Sequence, residues 1–224
     1  MTRAWLAGLL LVGCAVSGPA PSGVEAGLRY VALGDSYTIG TSVAMVERWP
    51  DQLVARLGGR LQLVTNLGVN GYASGDLIAD ELPALDGLGP DFVTVQIGVN
   101  DVVRGVPEAT YAANVEVILD ALLARLPASR ILCVATPDYT VTPAGAAFGD
   151  PGQQSAAIAS FNQVLSSAAA ARGIAFVAEI YSISKAASSD RSLVAPDGLH
   201  PSGTQYTRWV EAILPVVEEL LGAG

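Results

Sequence analysis

The 224-residue sequence has one histidine, two cysteines and, at Lys185, a single lysine. Each scarcity removes a class of function. Most protein-held zinc sites draw on several His or Cys side chains, so that class is excluded. Lysine and arginine total 12 against 21 acidic residues, a formal net charge of −9. A nucleic-acid backbone is gripped by clustered Lys and Arg, which excludes nucleic acid as the main partner. The pattern GxxxxGK followed by Ser or Thr is missing, so a P-loop nucleotide hydrolase is excluded too. Charged residues make up only 15% and hydrophobic ones 51%. That balance supports a sizeable core rather than general disorder, and the length suits one domain.

The first residues read as an export signal. Arg3 supplies a positive charge, and Ala4 to Val12 form an apolar run of nine residues. A bilayer-spanning helix needs ~20 residues, so this run is a signal segment rather than a membrane anchor. Leu11-Val12-Gly13-Cys14 then resembles a bacterial lipobox, in which the cysteine is acylated and becomes the mature N-terminus. The expected organisation is a lipoprotein-type signal over 1–13, a flexible Gly/Pro/Ala/Ser-rich tether over 14–27 and a folded domain over 28–224. A lipidated Cys14 would tie the protein to a membrane of the cell envelope. A soluble secreted or periplasmic form is the alternative. Cys133 lies in the apolar run Ile131 to Ala135 and reads as a buried, inert thiol.

Short apolar runs alternate with longer helical patterns. The strands expected are Leu28–Leu33, Leu61–Leu67, Phe92–Ile97, Arg130–Ala135 and Ile174–Val177. The helices expected are Trp49–Leu57, Ser74–Leu82 with Ser74 as N-cap, Pro107–Leu126, Gln153–Arg172 and Gly203–Leu221. Pro137 to Gly152 reads as a surface loop. The β-α-β rhythm, with strands apolar on both faces, predicts an α/β fold with a parallel sheet covered by helices on both sides.

Ligands bind beyond the carboxyl ends of such strands, so the segments that follow the strands carry the functional question. They are Gly34-Asp35-Ser36-Tyr37, Asn66 to Tyr72, Gly98-Val99-Asn100-Asp101 and Asp197-Gly198-Leu199-His200-Pro201. Asp197 stands three residues before the only histidine, where a tight turn would let it accept a hydrogen bond from His200 Nδ1 and leave Nε2 as a base. Ser36, at a glycine-flanked strand end, is the candidate nucleophile, since a serine hydroxyl needs such a base. The backbone N–H groups of Ser36 and Gly71 and the side-chain amide of Asn100 are candidate donors to an oxyanion. Taken singly, each has a plainer reading: Ser36 as a helix N-cap, Gly71 as a turn residue, Asn100-Asp101 as a cap, His200 as a surface residue. Asp35 reads as a brace for its turn.

The four segments together resemble the SGNH subgroup of GDSL hydrolases, a family named for its Ser, Gly, Asn and His. Ser36 in GDSYTIG matches the first block, Gly71 in NLGVNGYAS the second, Asn100 in GVND the third, and Asp197 with His200 in DGLHP the last. Tyr37 stands where the name-giving motif has Leu, a variation that touches no catalytic role. The resemblance implies a flavodoxin-like α/β/α sandwich with five parallel strands in the order 2-1-3-4-5. It implies hydrolysis of small acyl esters or thioesters through an acyl-enzyme, with Ser36, His200 and Asp197 as triad, Ser36, Gly71 and Asn100 as oxyanion hole, and no metal or cofactor. An O-deacetylase acting on carbohydrate is the alternative within the family. A non-catalytic envelope binding protein is the alternative outside it.

Overall fold

The computed structural model describes residues 1–2 and 27–222. All of the export signal but its first two residues, Cys14 and all of the tether but its last residue lie outside the described residues. Five strands form one parallel sheet: β1 (Leu28–Gly34), β2 (Leu61–Asn66), β3 (Phe92–Gln96), β4 (Ile131–Val134) and β5 (Ala175–Val177). Their order is β2-β1-β3-β4-β5, as the resemblance implied. β1 and β3 are fully buried over Tyr30–Leu33 and Phe92–Gln96. That explains why they read as unbroken apolar runs: helices cover both faces, so no side of the strand meets water. Cys133 is buried in β4, and burial pushes its thiol up to about 12, a chemically quiet position.

The helices are α1 (Ser36–Ile39), α2 (Trp49–Arg56), α3 (Ser74–Asp76), α4 (Leu82–Leu88), α5 (Val99–Val103), α6 (Glu108–Leu123), α7 (Pro151–Ala171), α8 (Glu179–Ser184) and α9 (Gly203–Leu220). α2, α8 and α9 pack together, as do α4, α6 and α7 through α6. Right-handed crossovers place the β1–β2 connection on one face and the later connections on the other. Trp49 on α2 and Trp209 on α9 are fully buried, and Tyr206 and Trp209 meet edge to face at 5.0 Å.

The sequence reading departs from the fold at three places. Ser74 is not the N-cap of its helix; Ala73 is. The Ser74 hydroxyl and backbone N–H are both taken by Asp101, at 2.5 and 2.8 Å. The helix expected to end at Leu82, before Pro83, instead runs through one π-turn (Leu77–Glu81) into α4. Pro83 falls in the first turn after that irregularity, where its missing N–H does the least harm. Third, the stretch from 137 to 152 is more than a surface loop. It buries Asp138 and Tyr139, folds two short 3₁₀ turns and begins α7 at Pro151.

The π-turn carries a buried acid. Glu81 is 2% exposed; its Oε2 accepts from the Gly34 N–H at 2.9 Å, and its Oε1 meets no hydrogen-bond donor among the described residues. Burial, only partly offset by the Gly34 hydrogen bond, pushes its carboxyl up to about 9 from an ordinary 4.5. The folded protein therefore holds a proton that the unfolded chain releases. The resulting stability is complete below the ordinary glutamate range and is lost as pH rises toward 9. Denaturant titrations at pH 5 and pH 9 check this: the wild type should lose more stability across that interval than Glu81→Gln, which keeps the acceptor without the titration. Equal losses would contradict the assignment.

Candidate active site

Ser36 opens α1 directly after β1. The N-cap of α1 is Asp35, whose Oδ1 accepts from the Tyr37 N–H at 2.9 Å. The capping task therefore falls to Asp35, as its reading as a brace anticipated, and the Ser36 hydroxyl is left free for other work. The chain can turn this sharply because position 34 is glycine. Its φ is +152°, and a Cβ there would come within 2.3 Å of the Gln96 carbonyl oxygen and 2.4 Å of Thr38 Oγ1. Asp35 is fully buried, and that burial pushes its carboxyl up to about 7 despite the Tyr37 hydrogen bond.

His200 sits in a loop pinned at both ends. Ala195 N–H donates to the His200 carbonyl at 2.7 Å, and Ser202 N–H donates to the Leu193 carbonyl at 2.8 Å. Inside it, Asp197 Oδ1 accepts from the backbone N–H groups of Leu199 and His200 at 2.9 and 3.0 Å. Asp197 Oδ2 meets His200 Nδ1 at 2.6 Å and accepts from Ser42 Oγ at 2.7 Å. Burial alone would raise this carboxyl, but the hydrogen bonds from Ser42, His200 and the two amides outweigh it and hold it well below the usual carboxylate range. An ionised acceptor at Nδ1 fixes the tautomer and leaves Nε2 as the nitrogen with a free lone pair. The imidazole ring lies against Tyr37, with centroids 5.1 Å apart and planes at 53°, and Tyr37 is stacked in turn on Trp209. The Tyr in place of Leu after the nucleophile thus touches the site after all, as a wall that limits where the ring can swing.

The donors converge from two further loops. The segment after β2 runs on beside β1, with Leu67 N–H donating to Ala32 and Val69 N–H to Gly34, at 2.8 and 3.2 Å. It brings up Gly71 with φ +84°. A Cβ on Gly71 would meet nothing within 4 Å, so glycine is required here by its left-handed backbone rather than by crowding. Neither the Ser36 nor the Gly71 N–H donates to a backbone or side-chain acceptor among the described residues. Asn100, in the first turn of α5, donates from Nδ2 to the Tyr72 carbonyl at 2.9 Å. Among the described residues Nδ2's only other partner, Asp35 Oδ2, is 3.5 Å away, too far to hold the second N–H firmly.

Ser36, Gly71, Asn100 and His200 all line one cavity of about 180 Å³. Among the described residues no hydrogen bond joins Ser36 Oγ to His200, a contact that in unliganded enzymes is often long and tightens only with substrate. Apart from Asn70, the rest of the wall is apolar or aromatic: Tyr37, Val99, Val103, Leu199, Tyr139 and Phe148. Tyr139 and Phe148, set edge to face at 5.6 Å, come from the loop that the sequence reading left at the surface. Their role was hidden because nothing in a Pro- and Gly-rich stretch says which of its residues turns inward.

The profile of the GDSL-like lipase/acylhydrolase family matches residues 32–208. An arylesterase of Vibrio mimicus is 28% identical over 100 residues, 44% of this chain and 50% of that protein, so the match spans half the length of that curated relative. Among solved structures, TesA superposes with a TM-score of 0.67 at 21% identity, covering 86% of this chain and 99% of its own. A variant of Axe2, an acetyl xylan esterase from Geobacillus stearothermophilus, gives 0.65 at 17% identity, with 86% and 95% covered. These two likenesses, under 25% identical, are likenesses of fold. With the profile spanning most of its length, the chain belongs to the GDSL-like lipase/acylhydrolase family.

Proposed function

We propose that the protein is a serine esterase that hydrolyses small acyl esters through an acyl-enzyme at Ser36. The observation that carries this reading is the convergence on one cavity of a free serine hydroxyl, an imidazole oriented by a carboxylate, two uncommitted backbone N–H donors and the loosely held second N–H of Asn100. Ser36 Oγ attacks the ester carbonyl while His200 Nε2 takes its proton. Asp197 stabilises the imidazolium that forms. The oxyanion is met by Ser36 N–H, Gly71 N–H and the loosely held second N–H of Asn100, which gives up its long contact with Asp35 as charge develops. The imidazolium then protonates the departing alcohol. Water, deprotonated by His200, attacks the acyl-enzyme and releases the acid.

The cavity is smaller than the ~300 Å³ at which drug-sized pockets begin, which suits a short acyl group. A sugar acetate would present the same acyl group, and the fold likeness to an acetyl xylan esterase makes carbohydrate O-deacetylation the second reading. Thioesters would be attacked by the same machinery.

Ser36→Ala should lower hydrolysis of nitrophenyl acetate by about 10³-fold or more while leaving the circular dichroism spectrum unchanged. The wild type, but not this variant, should take a covalent label from a fluorophosphonate probe. Retained turnover in the folded variant would contradict the assignment, and a wild type that takes no label would favour a non-catalytic binding protein.

The same proposal extends to location. Arg3, the apolar run to Val12 and the cysteine that follows support export and lipidation at Cys14, hence association with a membrane of the cell envelope. Mass spectrometry of the protein from a bacterial envelope fraction should find Cys14 as the first residue, carrying acyl mass. An unmodified terminus downstream of Cys14 would instead mean a soluble exported protein.

A further inference from the structure

Ser42 is the one non-glycine residue with a positive φ among the described residues, at +67°. A side chain in that region is uncommon, and such outliers persist where the surroundings fix them, often beside functional sites. The turn that carries it follows α1 and is held by Thr41 N–H donating to the Ser36 carbonyl at 3.0 Å. The unusual backbone aims the Ser42 hydroxyl at a residue 155 positions away, Asp197, whose Oδ2 it reaches at 2.7 Å. That is the oxygen that also holds His200 Nδ1. Its neighbour Thr41 reaches the opposite side of the site, donating to Asn70 Oδ1, one residue before Gly71. Without the serine, Oδ1 would still be fixed by its two backbone donors, but Oδ2 would have the imidazole as its only partner and could follow the ring.

We infer that Ser42 is a positioning residue for the esterase chemistry: its hydroxyl fixes Asp197 Oδ2, and through it the tilt of the His200 ring toward Ser36. This rests on the catalytic reading of Ser36, His200 and Asp197. The hydroxyl also shares the charge of Oδ2 with the imidazole. Its removal leaves more of that charge to stabilise the imidazolium, so the acid limb of the pH–rate profile should move to higher pH.

The titratable groups that face the imidazole are Asp197 at Nδ1, the Tyr37 phenol against the ring and the Tyr139 phenol on the cavity wall. Burial raises both phenols, Tyr139 to about 12 and Tyr37 well above its ordinary value. Both stay neutral across the acid range; Asp35, beneath the nucleophile's turn and pushed up to about 7, titrates there too, so the acid limb of kcat/KM is read as the difference between the wild type and the Ser42 variants, which leave Asp35 untouched.

Two variants separate positioning from turn shape. Ser42→Ala removes the hydroxyl and keeps the backbone strain. Ser42→Gly removes the hydroxyl and relieves the strain. Both should lower kcat on nitrophenyl acetate about tenfold, leave KM close to the wild-type value and move the acid limb to higher pH. A Ser42→Gly enzyme with wild-type kcat would show that the residue only shapes the turn, and loss of kcat with an unmoved acid limb would equally overturn the inference. Fluorophosphonate labelling of the wild type at Ser36 is run alongside. A labelled, active wild type with unaffected variants sinks this inference alone, whereas an unlabelled wild type sinks the esterase reading beneath it.

Discussion

The reversal of strand order between the parallel neighbours β1 and β3 is the constraint on which the rest depends. Parallel strands must be joined by right-handed crossovers. In the order β2-β1-β3-β4-β5 the chain therefore leaves β1 toward one side of the sheet and β3 toward the other. The two strands are paired up to Gly34 and Gln96, and beyond that point their connections part and open a crevice. Ser36 comes out of one edge of it and Asn100 out of the other. The Gly71 loop is sewn beside β1 by backbone hydrogen bonds, and the His200 loop closes over the top from the end of the chain. Four loops meet because the handedness of the connections leaves them one common place.

Around that crevice, three carboxyl groups of similar chemistry are driven to opposite states by their surroundings. Asp197 is partly open to solvent and takes four hydrogen bonds, which keep it ionised. Asp35 and Glu81 lie under the nucleophile's turn with one short hydrogen bond each, and burial favours their neutral forms. The difference matters for an oxyanion. A full negative charge at Asp35, in the residue just before Ser36, would repel the charge that develops on the substrate, whereas a shared or absent one does not. In the proposed chemistry the negative charge that is used sits on the far side of the imidazole, where it would stabilise a cation.

The sheet was legible because its strands are buried on both faces. Runs such as Phe92 to Gln96 contain no polar residue that needs solvent, and their ends lie within one or two residues of the expected ones. The helices that packing alone defines were less so. α8 shows too short a pattern to be told from a loop, and the π-turn at Leu77–Glu81 let its helix pass a proline that ends most helices. In the site, the residues that sequence singled out are those whose chemistry stands out: the only histidine, the serine after Gly-Asp, the amide after a strand. Ser42, Tyr37, Glu81 and Phe148 stayed hidden for a different reason. Each matters through what it touches in the folded chain, for Ser42 a residue 155 positions away, and a common residue type gives no sign of what it will touch.

The proposed chemistry requires the Ser36 hydroxyl, the His200 imidazole and the three N–H donors to surround one reacting atom. A crystal structure of the protein after reaction with a small alkyl fluorophosphonate tests it most directly, because the adduct mimics the tetrahedral intermediate. Phosphorus should be bonded to Ser36 Oγ. The phosphoryl oxygen should lie within about 2.7–3.1 Å of Ser36 N, Gly71 N and Asn100 Nδ2, and His200 Nε2 should face the modified oxygen of Ser36. An adduct whose phosphoryl oxygen points to solvent, with the imidazole turned away from the serine, would contradict the account.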